Sequence, residues 1–181
     1  MVIQILRLFR NLGQELREME AVAKTYYDSP IGTVEISASD AGITGLCFTD
    51  YPTYEINPTH PILLECIEQL DEYFEGKRTH FTVFLDIEGT EFQRKVWREL
   101  MEIPIGQTRS YLTVAKRINS PDAVRAVGSA CGKNSHWLLV PCHRVIGSNG
   151  KLTGYAGGLK RKRWLLQHEW AVLHGKQTEL F

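Results

Sequence analysis

A charge break near residue 87 divides this chain into two unlike halves. Residues 1–87 hold 6 Lys and Arg against 14 Asp and Glu, and residues 88–181 hold 15 against 7, so a formally neutral chain is net −8 in its first half and +8 in its second. A polyanion such as nucleic acid is repelled by the first and attracted to the second; the plainer alternative is two differently solvated surfaces. The hydropathy pattern changes at the same place, from strand-type alternation to apolar residues three and four apart. The division predicts a mainly helical domain over 88–181; ahead of it, an N-terminal extension of helical pattern over 1–22 precedes an α/β domain over 23–87. At 43% apolar residues the chain has enough material for a core.

No apolar run reaches the roughly 20 residues of a membrane span. Arg7 and Arg10 interrupt the N-terminal apolar pattern, and no small-residue cleavage site follows. The expectation is a protein of the cytoplasm, or of the nucleus in a eukaryote, with no membrane partner. Cys47, Cys66, Cys131 and Cys142 show no C-x-x-C spacing, which suggests neither a zinc ribbon nor a disulfide framework.

Residues 2–19 place Val2, Leu6, Phe9, Leu12, Leu16 and Met19 on an amphipathic helical stripe. From Lys24 to Asp50, alternation broken by Ser-Pro-Ile-Gly and Asp-Ala-Gly reads as a three-stranded antiparallel meander. Ile62, Leu63, Cys66, Ile67, Leu70, Tyr73 and Phe74 share one face of a helix stopped by Gly76, which makes Cys66 a core residue. Thr90 with Gln93 is a capping box opening the next helix. A further helix spans about 110–118, and another opens at Ser120-Pro121. Two short helices with a tight link form the skeleton of a helix-turn-helix. The last helix, from Leu159, starts with Lys160, Arg161, Lys162 and Arg163, for which a solvated turn is preferred over a phosphate contact.

The chemistry concentrates at "PCHR", 141–144. A thiol is a nucleophile only as thiolate, and a histidine base is a usual activator. Cys142 and His143 are adjacent, so an extended chain points them apart. Either the chain turns at Pro141 or a water bridges them. Glu169 is a candidate carboxylate to fix the imidazole tautomer.

The segments "FQRKVWREL", "AVRAVGSACGKN", "PCHRVIG", "GYAGGLKRK" and "LLQHE" closely resemble the O6-alkylguanine-DNA alkyltransferases, and the resemblance spans roughly residues 24–173. It implies a ribonuclease-H-like N-terminal α/β domain with an antiparallel sheet and a helical, winged-helix-like C-terminal domain. It also implies a monomer that needs no cofactor or metal and repairs double-stranded DNA containing O6-alkylguanine, with O4-alkylthymine a possible second lesion. Cys142 is implied as the irreversible alkyl acceptor, His143 as its base through a bridging water, Glu169 as the orienting carboxylate, and Asn134 as the group polarising the turn. Tyr111 is implied as proton donor to the departing guanine and in displacing the target nucleotide. Arg125 is implied to take the vacated place in the base stack, and Val145, Tyr155 and Ala156 to line the substrate pocket. Ala123, Ala126 and Gly128, with Ala130, would permit close approach to a groove, which the resemblance implies is the minor one, or simply pack the helix. The sequence departs from the family pattern at Ser135 and His136, where many relatives carry proline or lysine, and at Ala156, where some carry serine. His60, His80, Cys47 and Cys66 show no zinc-ligand spacing. Two other classes compete: a damage-recognition module without transfer, against which Cys142 itself speaks, and a Cys-His hydrolase, for which no oxyanion-hole signal is found.

Overall fold

A computed structural model describes residues 23–53 and 59–175; the amphipathic stripe of residues 2–19 lies outside them. Three antiparallel strands, β1 (Ala23–Ser29), β2 (Gly32–Ser39) and β3 (Gly42–Phe48), form a meander in the order β1-β2-β3. The register pairs Ala23 with Ala38 and Val34 with Phe48, with a bulge at Ser37/Ala38. Alternation sets the faces: Val34, Ile36 and Ala38 are fully buried, with Ile43 and Leu46 beside them. The helix α1 (Pro61–Phe74) lays Leu63, Cys66, Leu70 and Tyr73 against that face, so Cys66 is a core residue as expected. Gly76 ends it in left-handed backbone, φ 75°.

The free edge of β3 is closed by two later segments. Ile43 exchanges backbone hydrogen bonds with Phe84 and Asp86, and Leu46 with Ser135 and Trp137, all at 2.8 Å. Gly42 is required by the first approach: a Cβ there would sit 2.7 Å from the Phe84 carbonyl oxygen.

The second half is helical: α2 (Glu91–Met101), α3 (Tyr111–Arg117), α4 (Val124–Gly132) and α5 (Leu159–His174), with a short parallel pair, β4 (Arg109–Ser110) and β5 (Val145–Ile146). The expected mixed α/β class is borne out. The Thr90–Gln93 capping box is present, with both reciprocal bonds made. The expected start of α4 at Ser120-Pro121 is corrected to Val124, with Ala123 as an N-cap that has no side-chain bond. The reason lies in α3, whose end consumes those residues. Asn119 turns left-handed at φ 56° and the Ser120 N–H returns to the Ala115 carbonyl, a helix-closing bond. Pro121 and Asp122 then form a turn closed by Ala123 N–H to Ser120 C=O at 2.9 Å. The Trp97 indole donates to the Ala130 carbonyl at 2.9 Å and ties α2 to α4, which makes Ala130 a packing residue.

Candidate active site

The segment that carries the chemistry runs from the sheet edge into the helical half. After Trp137, Leu138 turns inward through left-handed backbone (φ 70°), a conformation that costs a non-glycine residue roughly 1–2 kcal/mol and is held here by burial. Leu138 and Leu139 join the sheet core while Val140 joins the helical core. Beyond Pro141 the chain makes a single 3-10 turn, Cys142–Arg144. With about three residues per turn, successive side chains point roughly 120° apart. The adjacency of Cys142 and His143 is thus resolved by a turn at Pro141: the thiol borders a cleft, while His143 and Arg144 point toward Glu169.

Glu169 is fully buried on the α5 face that also carries Lys162, Leu165 and Leu166. Its Oε1 accepts from His143 Nε2 at 2.7 Å, Tyr73 Oη at 2.9 Å and Arg144 Nη2 at 2.9 Å. Its Oε2 accepts from Arg144 Nε at 3.0 Å and the Gly106 N–H at 3.2 Å. Burial opposes ionisation of this carboxylate, but His143 and Arg144 outweigh it and hold the pKa well below the usual range. Burial also lowers the pKa of His143, against the pull of Glu169, so the ring is neutral near pH 7. The standing positive charge on Glu169 is therefore Arg144. A neutral His143 whose Nε2–H faces Glu169 presents Nδ1 as its basic atom, and that atom is buried with no hydrogen-bond partner among the described residues.

Asn134 braces the turn: its Nδ2 donates to the Val140 carbonyl at 2.8 Å and to Cys142 Sγ at 3.2 Å, and its Oδ1 accepts from the His136 N–H at 2.9 Å. His136, one of the departures from the family pattern, is buried, with Nε2 placed 2.9 Å from the Ile43 carbonyl. Burial raises the pKa of Cys142, although the Asn134 hydrogen bond and the Lys162 charge work against it. At rest it is a thiol, and it needs a base before it can attack.

Cys142 borders a cleft of about 130 Å³. Tyr111, Gly128, Cys131 and Gly132 form one wall, and Gly154, Tyr155 and Ala156 the other. Neither Gly128 nor Gly132 is forced by packing: a Cβ at Gly128 would make ordinary contact with the Tyr111 ring, and one at Gly132 would meet nothing within 4 Å. Arg125 and Ala126 lie exposed on the outer face of α4 and Ala123 is half-buried at its N-cap, all three outside the cleft lining. The Val145 side chain is fully buried and its carbonyl accepts from Lys162.

Lys162 corrects the expectation of a solvated basic turn. It is fully buried, and Nζ donates to the carbonyls of Val145 (2.6 Å), Thr153 (2.8 Å) and Gly154 (3.2 Å), which fastens the loops that carry the second wall. Burial pulls its pKa down to about 8, which leaves it charged at neutral pH. Arg161 is also engaged, donating to the Ile31 carbonyl at 2.9 Å and stacking 4.6 Å over Phe48, while Lys160 and Arg163 are exposed. Sequence reasoning also missed Arg144 and Tyr73. Lys162 had a legible signal, its i, i+3, i+4, i+7 stripe with Leu165, Leu166 and Glu169; Tyr73 had none, because its apolar stripe reads as core and its partner is 96 residues away.

Two family models match: the 6-O-methylguanine DNA methyltransferase ribonuclease-like domain over residues 22–87, and the DNA-binding domain of the same family over residues 91–171. The methylated-DNA–protein-cysteine methyltransferase of Mycolicibacterium paratuberculosis is 50% identical over 147 residues, covering 78% of this chain and 88% of that protein. Its counterpart in Methanosarcina acetivorans is 44% identical over 149 residues, covering 79% and 95%. The crystal structure of Mycobacterium tuberculosis O6-methylguanine methyltransferase superposes with a TM-score of 0.75 at 44% identity, over 83% of this chain and 93% of that one. The Mycobacterium tuberculosis protein solved in complex with DNA gives 0.74 at 45% identity, over 82% and 93%. On these matches, and on the cysteine, histidine and glutamate that its fold brings together, the chain belongs to the O6-alkylguanine-DNA alkyltransferase family.

Proposed function

We propose that this protein repairs O6-alkylguanine in double-stranded DNA by direct reversal, acting as a monomer and moving the alkyl group irreversibly onto its own Cys142. The observation that carries this reading is a buried thiol bordering a small cleft, backed by a histidine whose free nitrogen has no partner among the described residues and whose other nitrogen is fixed on an ionised carboxylate. The 23–87 and 88–181 division, supported by the spans of the two family models, assigns DNA contact to the basic second half.

A duplex base cannot be reached in line by a protein thiol, so the target is flipped into the cleft at a cost of a few kcal/mol. Tyr111, at the first turn of α3, crowds the strand, and exposed Arg125 fills the gap, its planar group stacking between bases. The small residues Ala126, Gly128 and Gly132 let α4 approach a groove closely. Tyr155 and Ala156 wall the alkyl group, and the Ala156 N–H and the backbone at Cys142 and Val145 contact the guanine edge. His143 takes the thiol proton through a bridging water, and its cation is stabilised by Glu169. The thiolate attacks the alkyl carbon, forming S–C as C–O6 breaks, and the electron pair passes to the guanine. Tyr111, kept protonated by burial despite the opposing hydrogen bond of Thr153, supplies a proton to the ring. The proton held on His143 then restores the phenol. No second turnover follows, because the thioether has no leaving group for the site to use.

Intact and peptide mass spectrometry after mixing with a duplex carrying one O6-methylguanine tests this. The wild type is expected to gain one methyl on the Cys142 peptide, one to one with repaired guanine, and Cys142→Ala none. Lesion binding without mass gain replaces this reading with a recognition module. A duplex carrying O4-methylthymine extends the test to the second lesion.

A further inference from the structure

Two polar atoms close to Cys142 are buried without a hydrogen-bond partner among the described residues: Nδ1 of His143 and the hydroxyl of Tyr155. The two rings meet edge to face with centroids 6.4 Å apart, and Tyr155 shares the cleft with Cys142. The Tyr155 ring is accounted for, packed on Trp137 at a centroid distance of 5.8 Å; the hydroxyl is not. A buried polar group left unpaired costs about 1–3 kcal/mol. Such groups persist where an ordered water satisfies several of them together. The inventory here suits one water: the thiol and the phenol each offer a proton to its two lone pairs, and the imidazole nitrogen accepts one of its protons.

We propose that Tyr155 is a positioning residue for alkyl transfer, its hydroxyl and His143 Nδ1 together holding the water through which the Cys142 proton reaches the imidazole. The inference rests on the alkyl-transfer reading above and adds to it a role for the hydroxyl as distinct from the ring. In the step, the S–H bond breaks as its proton passes to the water oxygen, and the water passes one of its own protons to Nδ1. Thiolate and imidazolium result, the latter with Nε2–H on Glu169, and the water is regenerated. Tyr155 keeps its proton throughout, since burial first and then the neighbouring Cys142 raise its pKa well above the ordinary phenol value. It orients the relay and does not serve as the base.

Tyr155→Phe retains the ring that walls the pocket and removes only the hydroxyl. Single-turnover transfer from O6-methylguanine duplex is compared with wild type from neutral to alkaline pH, alongside DNA affinity and the rate at which a small thiol reagent labels Cys142 without DNA. The expected result is transfer slowed about tenfold at neutral pH, with DNA affinity unchanged. Both the transfer profile and the labelling profile are expected to move to higher pH, because the thiol has lost part of its route to the base. A variant with the wild-type rate and profiles overturns the inference and leaves the function intact. A slowed variant whose profiles do not move also overturns it, assigning the hydroxyl to the pocket wall. A wild-type protein that gains no methyl overturns the function itself.

Discussion

The two walls of the cleft are built on opposite terms. Behind Cys142 the charged groups are fully engaged: Glu169 accepts from four residues, Arg144 closes on Glu169 and the Ile103 carbonyl, and Lys162 divides its three protons among three carbonyls. In front, α4 offers Arg125, Ala126 and Ser129 to solvent and two glycines with room for a methyl group. A glycine inside a helix costs about 0.5–1 kcal/mol relative to alanine, so this wall gives up stability that the fold does not require. On the proposed function the contrast separates machinery from docking surface: the rear would hold a proton route in one geometry, and the front is thin enough for something bulky to come close.

The largest break in that contrast is expected from Arg144→Leu. It leaves a buried carboxylate without its permanent counter-charge, a loss of about 3–5 kcal/mol, read as a lower urea midpoint. Removing both charges, with Arg144→Leu and Glu169→Leu together, is expected to recover much of the stability while transfer stays lost. Acid exposes the same pair. Glu169 is depressed when folded, so its contribution is fully present above the unfolded carboxyl value of about 4.3 and is lost as pH falls below it toward the folded value. His143, also depressed, withdraws its share earlier, as pH falls below about 6.5 and the unfolded ring takes up a proton that the buried ring refuses. Urea midpoints are therefore expected to fall from about pH 6.5 downward, and Glu169→Gln is expected to flatten the limb below about pH 4.3.

Lys162→Met comes next. It leaves three carbonyls without their shared donor, at about 1–3 kcal/mol, and loosens the Val145 and Thr153–Gly154 loops. Slower transfer with a lower melting temperature is expected, the rate falling more than stability alone explains. The smallest effect has the opposite sign: Gly128→Ala is expected to stabilise the protein by about 0.5–1 kcal/mol and yet slow transfer, more for larger alkyl groups, because the methyl narrows the cleft beside Tyr111. A Gly128→Ala protein of unchanged activity removes the distinction between the walls.

Much of the frame was legible beforehand. Alternation and turn residues placed the meander, Thr90 with Gln93 opened α2, and the Cys142–His143–Glu169 set is brought together as expected from the resemblance. What escaped was decided by tertiary structure. Ser120 reads as a cap for α4 because cap chemistry is local, yet it was already committed to closing α3. Lys162 reads as one of four equivalent basic residues until α5 is seen from its buried face. Arg144 and Tyr73 are named only by the carboxylate they share, and neither lies near it in the chain.

The closure of the β3 edge sets a timetable for making the protein. Phe84 and Asp86 follow Ile43 by about 40 residues, but Ser135, which covers the other half of the edge, comes 88 residues after Cys47. At roughly 5–20 residues per second, that half of the strand stays bare for on the order of 4–18 s of synthesis. For that interval the nascent chain exposes an unpaired strand edge, the kind of surface that seeds association between chains. The same segment that seals it carries Asn134 and leads directly to Cys142, so the sheet is made safe and the reactive turn is assembled in one event late in synthesis.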